Sequence, residues 1–239
     1  MALIRNITIH QALNYYEKDD YYATKNLGIP GLDKMAELTW GGSLSKKLGL
    51  VGKVDHETLK KVFEGEYPNG KVLRGRREKN GNERKRVGFD ITFEAPKSVS
   101  IAALEGGDHK LIELHREAEL EAIEFIQSRI GCRRGKDGHR YEQTGEGLYM
   151  RVLHGVNRNQ EPHLHGHCVF ANVTQNFDGE LQRSTTDNVF ACVVVVFFVV
   201  CKCLVNSYIS YQCHFWASFW IQFLSFSYSS FKVTGFPQL

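Results

Sequence analysis

Residues 87–93 alternate strictly, with Val87, Phe89, Ile91 and Phe93 on one side and Asp90 and Thr92 on the other. That period of two predicts a half-buried strand. The chain then continues apolar over residues 98–104 until Gly106, Gly107 and Asp108 break the run. From about residue 109 to 130 the period lengthens to that of a helix, carrying Leu111, Ile112, Leu114, Ala118, Ala122, Phe125 and Ile126 at helical spacing. Asp108 is the expected N-cap of this helix and Gly131 its stop. A turn-rich stretch over residues 133–138 leads to a strand-like run over residues 147–153 that ends at His154. Residues 157–162 form the expected loop into a second strand, which runs to about Thr174, and Asn176-Phe177-Asp178-Gly179 supplies the next turn. Helical spacing also shows at about residues 8–20 and 56–63. The pattern predicts an α+β domain up to about Asn188.

Beyond Phe190 the pattern stops. Residues 191–239 hold Lys202 and Lys232 as their only Lys, Arg, Asp or Glu, and four of the six cysteines lie there. Two readings fit. Residues 190–205 are apolar apart from Lys202 and fall slightly short of a membrane span. Alternatively, the segment is translated frameshift, insertion or read-through sequence, which its lack of charge and period favours. The expected division is therefore a domain over residues 1–188 and an atypical apolar tail over residues 189–239.

A chain of 239 residues can bury one well-formed core. Its net charge of +3 does not mark it as a nucleic-acid binder, although the distribution of charge is more informative. Residues 74–86 read RGRREKNGNERKR, a dense basic run that is either a solvated loop or a phosphate-contacting one. The cysteines form no C-x-x-C pair, which favours a reducing compartment. The first twenty residues lack a sustained apolar core, so a cytoplasmic location is expected.

The candidate chemistry centres on His163-Leu164-His165-Gly166-His167. A strand carrying His-x-His points both imidazoles from one face, one pleat apart. If the strand ending at His154 lies antiparallel beside it, a third imidazole reaches the same ion. Three nitrogen ligands leave coordination positions open, as catalytic metal sites do. Two tyrosine pairs, Tyr15-Tyr16 and Tyr21-Tyr22, stand near the N-terminus. Alone they read as aromatic packing on an amphipathic helix. Beside a metal, a phenol can instead attack a phosphodiester and form a phosphotyrosine. Asp90, on the polar side of its strand, could fix the tautomer of a metal-bound imidazole or take the nucleophile's proton.

These residues carry a resemblance. Tyr15-Tyr16 and Tyr21-Tyr22, then Asp90-Ile91-Thr92-Phe93-Glu94-Ala95-Pro96-Lys97-Ser98-Val99-Ser100, then His154 and Glu161-Pro162-His163-Leu164-His165-Gly166-His167, resemble the relaxase domain of the TrwC/TraI type. This is the MobF class of conjugative relaxases within the HUH endonucleases. Trp40-Gly41-Gly42 and Leu48-Gly49-Leu50-Val51-Gly52 resemble the family's early segment. The likeness covers about residues 3–188.

The resemblance implies an antiparallel sheet with the metal on one face and helices packed on the other. It also implies that the domain is C-terminally incomplete. Tyr15 would nick one DNA strand at a transfer origin and keep the 5′ phosphate, and Tyr21 would serve a later strand transfer. His154, His165 and His167 would hold a divalent ion such as Mg or Mn, with Asp90 assisting. The implied partners are single-stranded DNA and an origin hairpin, with accessory relaxosome and coupling proteins beside them. Arg74, Arg76, Arg77, Lys85, Arg86 and Lys97 are the candidate DNA contacts. No Walker A pattern occurs, so no nucleotide cofactor is expected. His163 departs from the family pattern, as an extra ligand or as a bystander. The alternative function is an inactive remnant that at most binds origin DNA. A rolling-circle initiator is disfavoured, because such proteins usually place tyrosine after the histidine motif.

Overall fold

The computed structural model describes residues 2–17, 37–73, 87–135, 140–185 and 189, and the side chains of residues 3–13 within the first segment. Five strands form one antiparallel sheet in the order β1-β3-β7-β6-β2. They are β1 (Ala2–Ile7), β2 (Thr39–Gly41), β3 (Gly88–Glu94), β6 (Tyr149–Val156) and β7 (Pro162–Ala171). Two small hairpins stand apart, β4 (Gly131–Arg134) with β5 (Arg140–Gln143), and β8 (Thr174–Gln175) with β9 (Leu181–Gln182). The helices are α1 (Ile9–Glu17), α2 (Ser43–Lys47), α3 (His56–Glu64), α4 (Lys97–Leu104) and α5 (His109–Ser128).

Both faces of the sheet are covered. Phe89, Ile91 and Phe93 of β3, with Cys168 and Phe170 of β7, pack against Ala122, Ile123 and Ile126 of α5. Phe89 and Phe170 stack with ring centroids 4.9 Å apart. On the opposite face Met150, Val152 and Val169 pack with Trp40 of β2, Ala12 of α1, and Leu59, Val62 and Phe63 of α3. That second face is the polar side of β3, which also carries Asp90 and Thr92. Helices therefore pack behind the sheet, as expected, and also over one half of the side bearing the histidines.

Several local expectations change. Residues 98–104 belong to α4, which starts directly after Pro96. Proline cannot continue the β3 ladder but suits a helix start. Ser100 Oγ bonds back to the Pro96 carbonyl at 3.2 Å. Arg133 and Arg134 of the expected turn-rich stretch belong to β4 of the β4–β5 hairpin, whose ladder pairs Gly131 with Gln143 and Arg134 with Arg140, while residues 136–138 lie outside the described residues. Its strands are mostly polar because they leave the main sheet and bury little. Asp108 occupies the N-cap position of α5 without a side-chain cap bond, whereas Asp55 does cap α3, accepting from the Thr58 N–H at 2.8 Å. β1 was not expected at all. Residues 190–239, including the candidate span at 190–205, lie outside the described residues. Among the described residues no helix is long and apolar enough to cross a membrane.

Candidate metal centre

β6 and β7 form a hairpin, and its register places His154 directly opposite His165. The loop is locked by Asn157, whose Oδ1 accepts from the N–H groups of Asn159 and Glu161 at 2.9 and 3.0 Å. Gln160 there takes a left-handed conformation, φ 61°. The ladder is irregular between His154 and Val156, a position where bulges commonly re-aim a side chain. Helix α4 holds the other flank. The Leu164 N–H donates to Ser100 Oγ at 3.0 Å, and the Leu164 carbonyl accepts from the Ala95 N–H at 3.0 Å. The Ala-Pro-Lys-Ser-Val-Ser motif thus anchors the strand one residue before His165.

The result is a triangle of imidazoles. Ring centroids are 5.1 Å apart for His154 and His165, 5.5 Å for His154 and His167, and 5.3 Å for His165 and His167. One nitrogen from each lies within 4.8 Å of the others, and all three residues are buried. Burial, reinforced by the neighbouring imidazoles, pulls the His154 pKa down to about 2. His165 falls to about 3 for the same first cause, partly offset by its bond to the His163 backbone. Both rings are therefore neutral at pH 7, the form that donates a lone pair to a metal.

Hydrogen bonds then select the nitrogen that donates. His165 Nδ1 is 2.8 Å from the His163 carbonyl oxygen, which can only accept, so Nδ1 carries the hydrogen and Nε2 keeps its lone pair. His167 Nδ1 lies 3.2 Å from Asp90 Oδ1 and 3.2 Å from Thr92 Oγ1. The carboxylate again assigns the hydrogen to Nδ1 and keeps the lone pair on Nε2. Three buried imidazoles, two of them held in one tautomer, fit a divalent ion. His163 is outside this group and stacks on His165 at 4.6 Å.

Asp90 is fully buried, and its second oxygen is also engaged. Arg5 of β1, directly across the ladder, donates to Oδ2 from Nε at 3.0 Å and from Nη2 at 2.9 Å. Sequence reasoning missed Arg5, because only the β1–β3 register brings it to Asp90. Alternation could have found Thr92, two residues from Asp90 on one face. Glu119 of α5 was also missed. Its carboxylate lies behind Gly166, the residue between two of the histidines, and only 2% of it is exposed. Burial raises its pKa to about 7 against the opposing pull of Arg151 and Arg116.

The other candidates are placed less fully. Tyr15 lies on α1, with its side chain outside the description, and Tyr21, Arg74, Arg76, Arg77, Lys85 and Arg86 are outside the described residues. Lys97 begins α4 and pairs with Glu161 at 3.3 Å, both half-exposed.

This geometry coincides with the findings from known proteins. The family model described as TrwC relaxase matches residues 9–207. The chain belongs to the TrwC relaxase family. The multifunctional conjugation protein TraI of Escherichia coli (strain K12) is 38% identical over 191 residues, covering 79% of this chain and 10% of TraI. Another E. coli TraI is 36% identical over 178 residues, covering 74% of this chain and 10% of that protein. The chain thus spans about a tenth of the length of these relatives. Among solved structures, a copper-bound conjugative relaxase TrwC in complex with oriT DNA superposes with a TM-score of 0.75 at 30% identity, over 89% of this chain and 72% of that one. A metal-bound TrwC–oriT complex gives 0.73 at 27% identity, over 89% and 71%. The antiparallel sheet with its helices is this family's fold.

Proposed function

We propose that this chain is a conjugative relaxase domain, a metal-dependent nickase and strand transferase acting on one strand of DNA at a transfer origin. The observation that carries the reading is the triangle of His154, His165 and His167 in a TrwC-family fold whose first helix bears the tyrosine pair. A divalent ion there, with Mg or Mn our proposal for the cell, would supply positive charge to a non-bridging phosphate oxygen. Tyr15 is the proposed nucleophile. Its phenol oxygen forms a bond to phosphorus as the bond from phosphorus to the 3′ oxygen breaks, and the phenol proton is in sum transferred to the leaving 3′ hydroxyl. A free phenol has a pKa of about 10, so proton loss accompanies attack at neutral pH. The phosphotyrosine ester keeps the free energy of the broken bond, so a 3′ hydroxyl can reverse the step without a nucleotide cofactor. Tyr21 is assigned to the second transfer.

The proposed partners are single-stranded DNA and an origin hairpin, as in the solved TrwC complexes, one of which holds a 27-mer with the recognition hairpin and cleavage site. Residues 74–86 and Lys97 would contact phosphates. Accessory relaxosome and coupling proteins, a cytoplasmic location, and the division at residue 188 between this domain and an apolar tail complete the proposal. The test is incubation of the purified chain with an origin oligonucleotide, with and without chelator. Cleavage that needs a divalent metal supports the reading. Binding without cleavage under every metal tested contradicts it and favours a remnant that only holds DNA.

A further inference from the structure

We infer that Arg5 is a positioning residue for the metal centre, acting on His167 through Asp90. The inference rests on the proposed relaxase chemistry for its consequence and on the contacts among Arg5, Asp90 and His167 for its substance. Asp90 presents one oxygen to Arg5 and the other to His167. Oδ2 accepts two guanidinium N–H groups, from Arg5 Nε at 3.0 Å and Nη2 at 2.9 Å. Oδ1 faces His167 Nδ1 at 3.2 Å. Two donors converging on one oxygen fix the plane of the carboxylate, and that plane aims Oδ1 at the imidazole. Without them, rotation about the Asp90 side chain would carry Oδ1 off Nδ1 and release the His167 ring.

The pairing also answers a solvation problem. The Asp90 side chain is fully buried, and a buried carboxylate without a countercharge is costly. Arg5 supplies that charge from strand β1, directly opposite Asp90 in the ladder, while about half of its own side chain stays in solvent. Lysine is a poor substitute because it offers a point charge where the fork supplies two fixed N–H vectors. The division of labour follows. Arg5 orients Asp90, Asp90 and Thr92 hold Nδ1–H of His167, and Nε2 keeps the lone pair that would bind the ion.

The experiment compares wild type with Arg5→Met, Arg5→Lys and Asp90→Asn. Manganese affinity is measured by calorimetry on the DNA-free chain, and the His167 tautomer is read from long-range nitrogen–proton NMR. Loss of this support should weaken manganese binding by about 10- to 100-fold, the usual effect of removing a partner of a metal-bound histidine. Arg5→Met and Asp90→Asn should both do so and should both lose the fixed Nδ1–H signature, with Arg5→Lys intermediate. In strand cleavage at saturating manganese, the rate of Arg5→Met should recover to within about tenfold of wild type, because its loss acts through metal affinity. Unchanged manganese affinity and tautomer in Arg5→Met overturn the positioning role. Failure of an otherwise folded Arg5→Met to recover at saturating manganese, with wild type active, also overturns it. If no variant cleaves, wild type included, the relaxase reading falls while the calorimetry and NMR still decide the role of Arg5. A circular dichroism melt confirms that each variant is folded, and thermal unfolding of Arg5→Met at assay temperature transfers the decision to Arg5→Lys.

Discussion

Substituting Gly166 by alanine should damage the metal centre from behind. A Cβ built on Gly166 would meet Glu119 Oε2 at 2.6 Å and its Cδ and Oε1 at 2.7 Å, all inside the closest approach that real Cβ atoms make. The carboxylate is the tip of a long side chain, yet only 2% of Glu119 is exposed, so neighbouring groups resist its retreat. Gly166 has no left-handed backbone angle to preserve. The cost is therefore steric, and overpacking of this kind is worth about 1–3 kcal/mol. The strand can yield instead of the carboxylate, but that moves His165 and His167 together and weakens the ion site. The assay is a double-mutant cycle in urea with Gly166→Ala, Glu119→Ala and the pair, alongside manganese affinity for each. Glu119→Ala removes the obstructing carboxylate, so the pair should be more stable than the sum of single effects by about 1–3 kcal/mol. Manganese affinity lost in Gly166→Ala should return in the pair. Additive effects, or a Gly166→Ala protein indistinguishable from wild type, would refute the reasoning.

Other consequences concern pH and the DNA surface. Glu119 moves from an ordinary 4.5 to about 7 on folding, so the folded chain holds its proton more tightly than the unfolded one. Its contribution is fully present below pH 4.5 and is lost as pH rises through about 7, a swing of about 3 kcal/mol. Denaturation of metal-free protein should show Glu119→Gln gaining on wild type by that order between pH 4.5 and 8, and a constant difference would reject the assignment. His154, His165 and His115 shift the other way, to about 2, 3 and 4, chiefly through burial. Their contribution is present above pH 6.5 and lost as pH falls, so His115→Phe should flatten the acid side of the same curve. Lys97 and Glu161 are both half-exposed, so their pair adds little to stability. Lys97→Ala should leave the melting temperature unchanged while reducing the salt slope of oligonucleotide binding by about one; an unchanged slope removes Lys97 from the DNA surface.

The sequence disclosed elements whose period is strong and uninterrupted. β3, α5, β6 and β7 each carry a long run of apolar positions at one spacing, because each is buried along much of its length. β1 pairs with β3 at the edge of the sheet, and its short sequence has no clean alternation. The β4–β5 hairpin escaped because Arg133, Arg134 and Arg140 sit where a core strand would carry apolar residues. The histidine triangle was legible because His-x-His fixes two ligands by local geometry, and the third needed only adjacency of two strands joined by a short loop. The supports of that triangle were not. Arg5 reaches Asp90 across 85 positions of sequence and Glu119 reaches Gly166 from a helix on the far face, contacts that depend on register and packing. Glu119 on α5 is an acidic residue at a buried helix position, a departure from the apolar stripe that could have drawn attention.

The central claim, that a tyrosine on α1 works with the three histidines, is tested most directly by peptide mapping after reaction. The chain is incubated with manganese and an origin oligonucleotide, denatured, digested with trypsin and nuclease, and analysed by mass spectrometry for a nucleotide adduct. The account predicts a 5′-phosphoryl nucleotide on the peptide containing Tyr15, absent with chelator and absent from Tyr15→Phe. An adduct undiminished in Tyr15→Phe, or cleavage that leaves no protein-linked nucleotide, would contradict it.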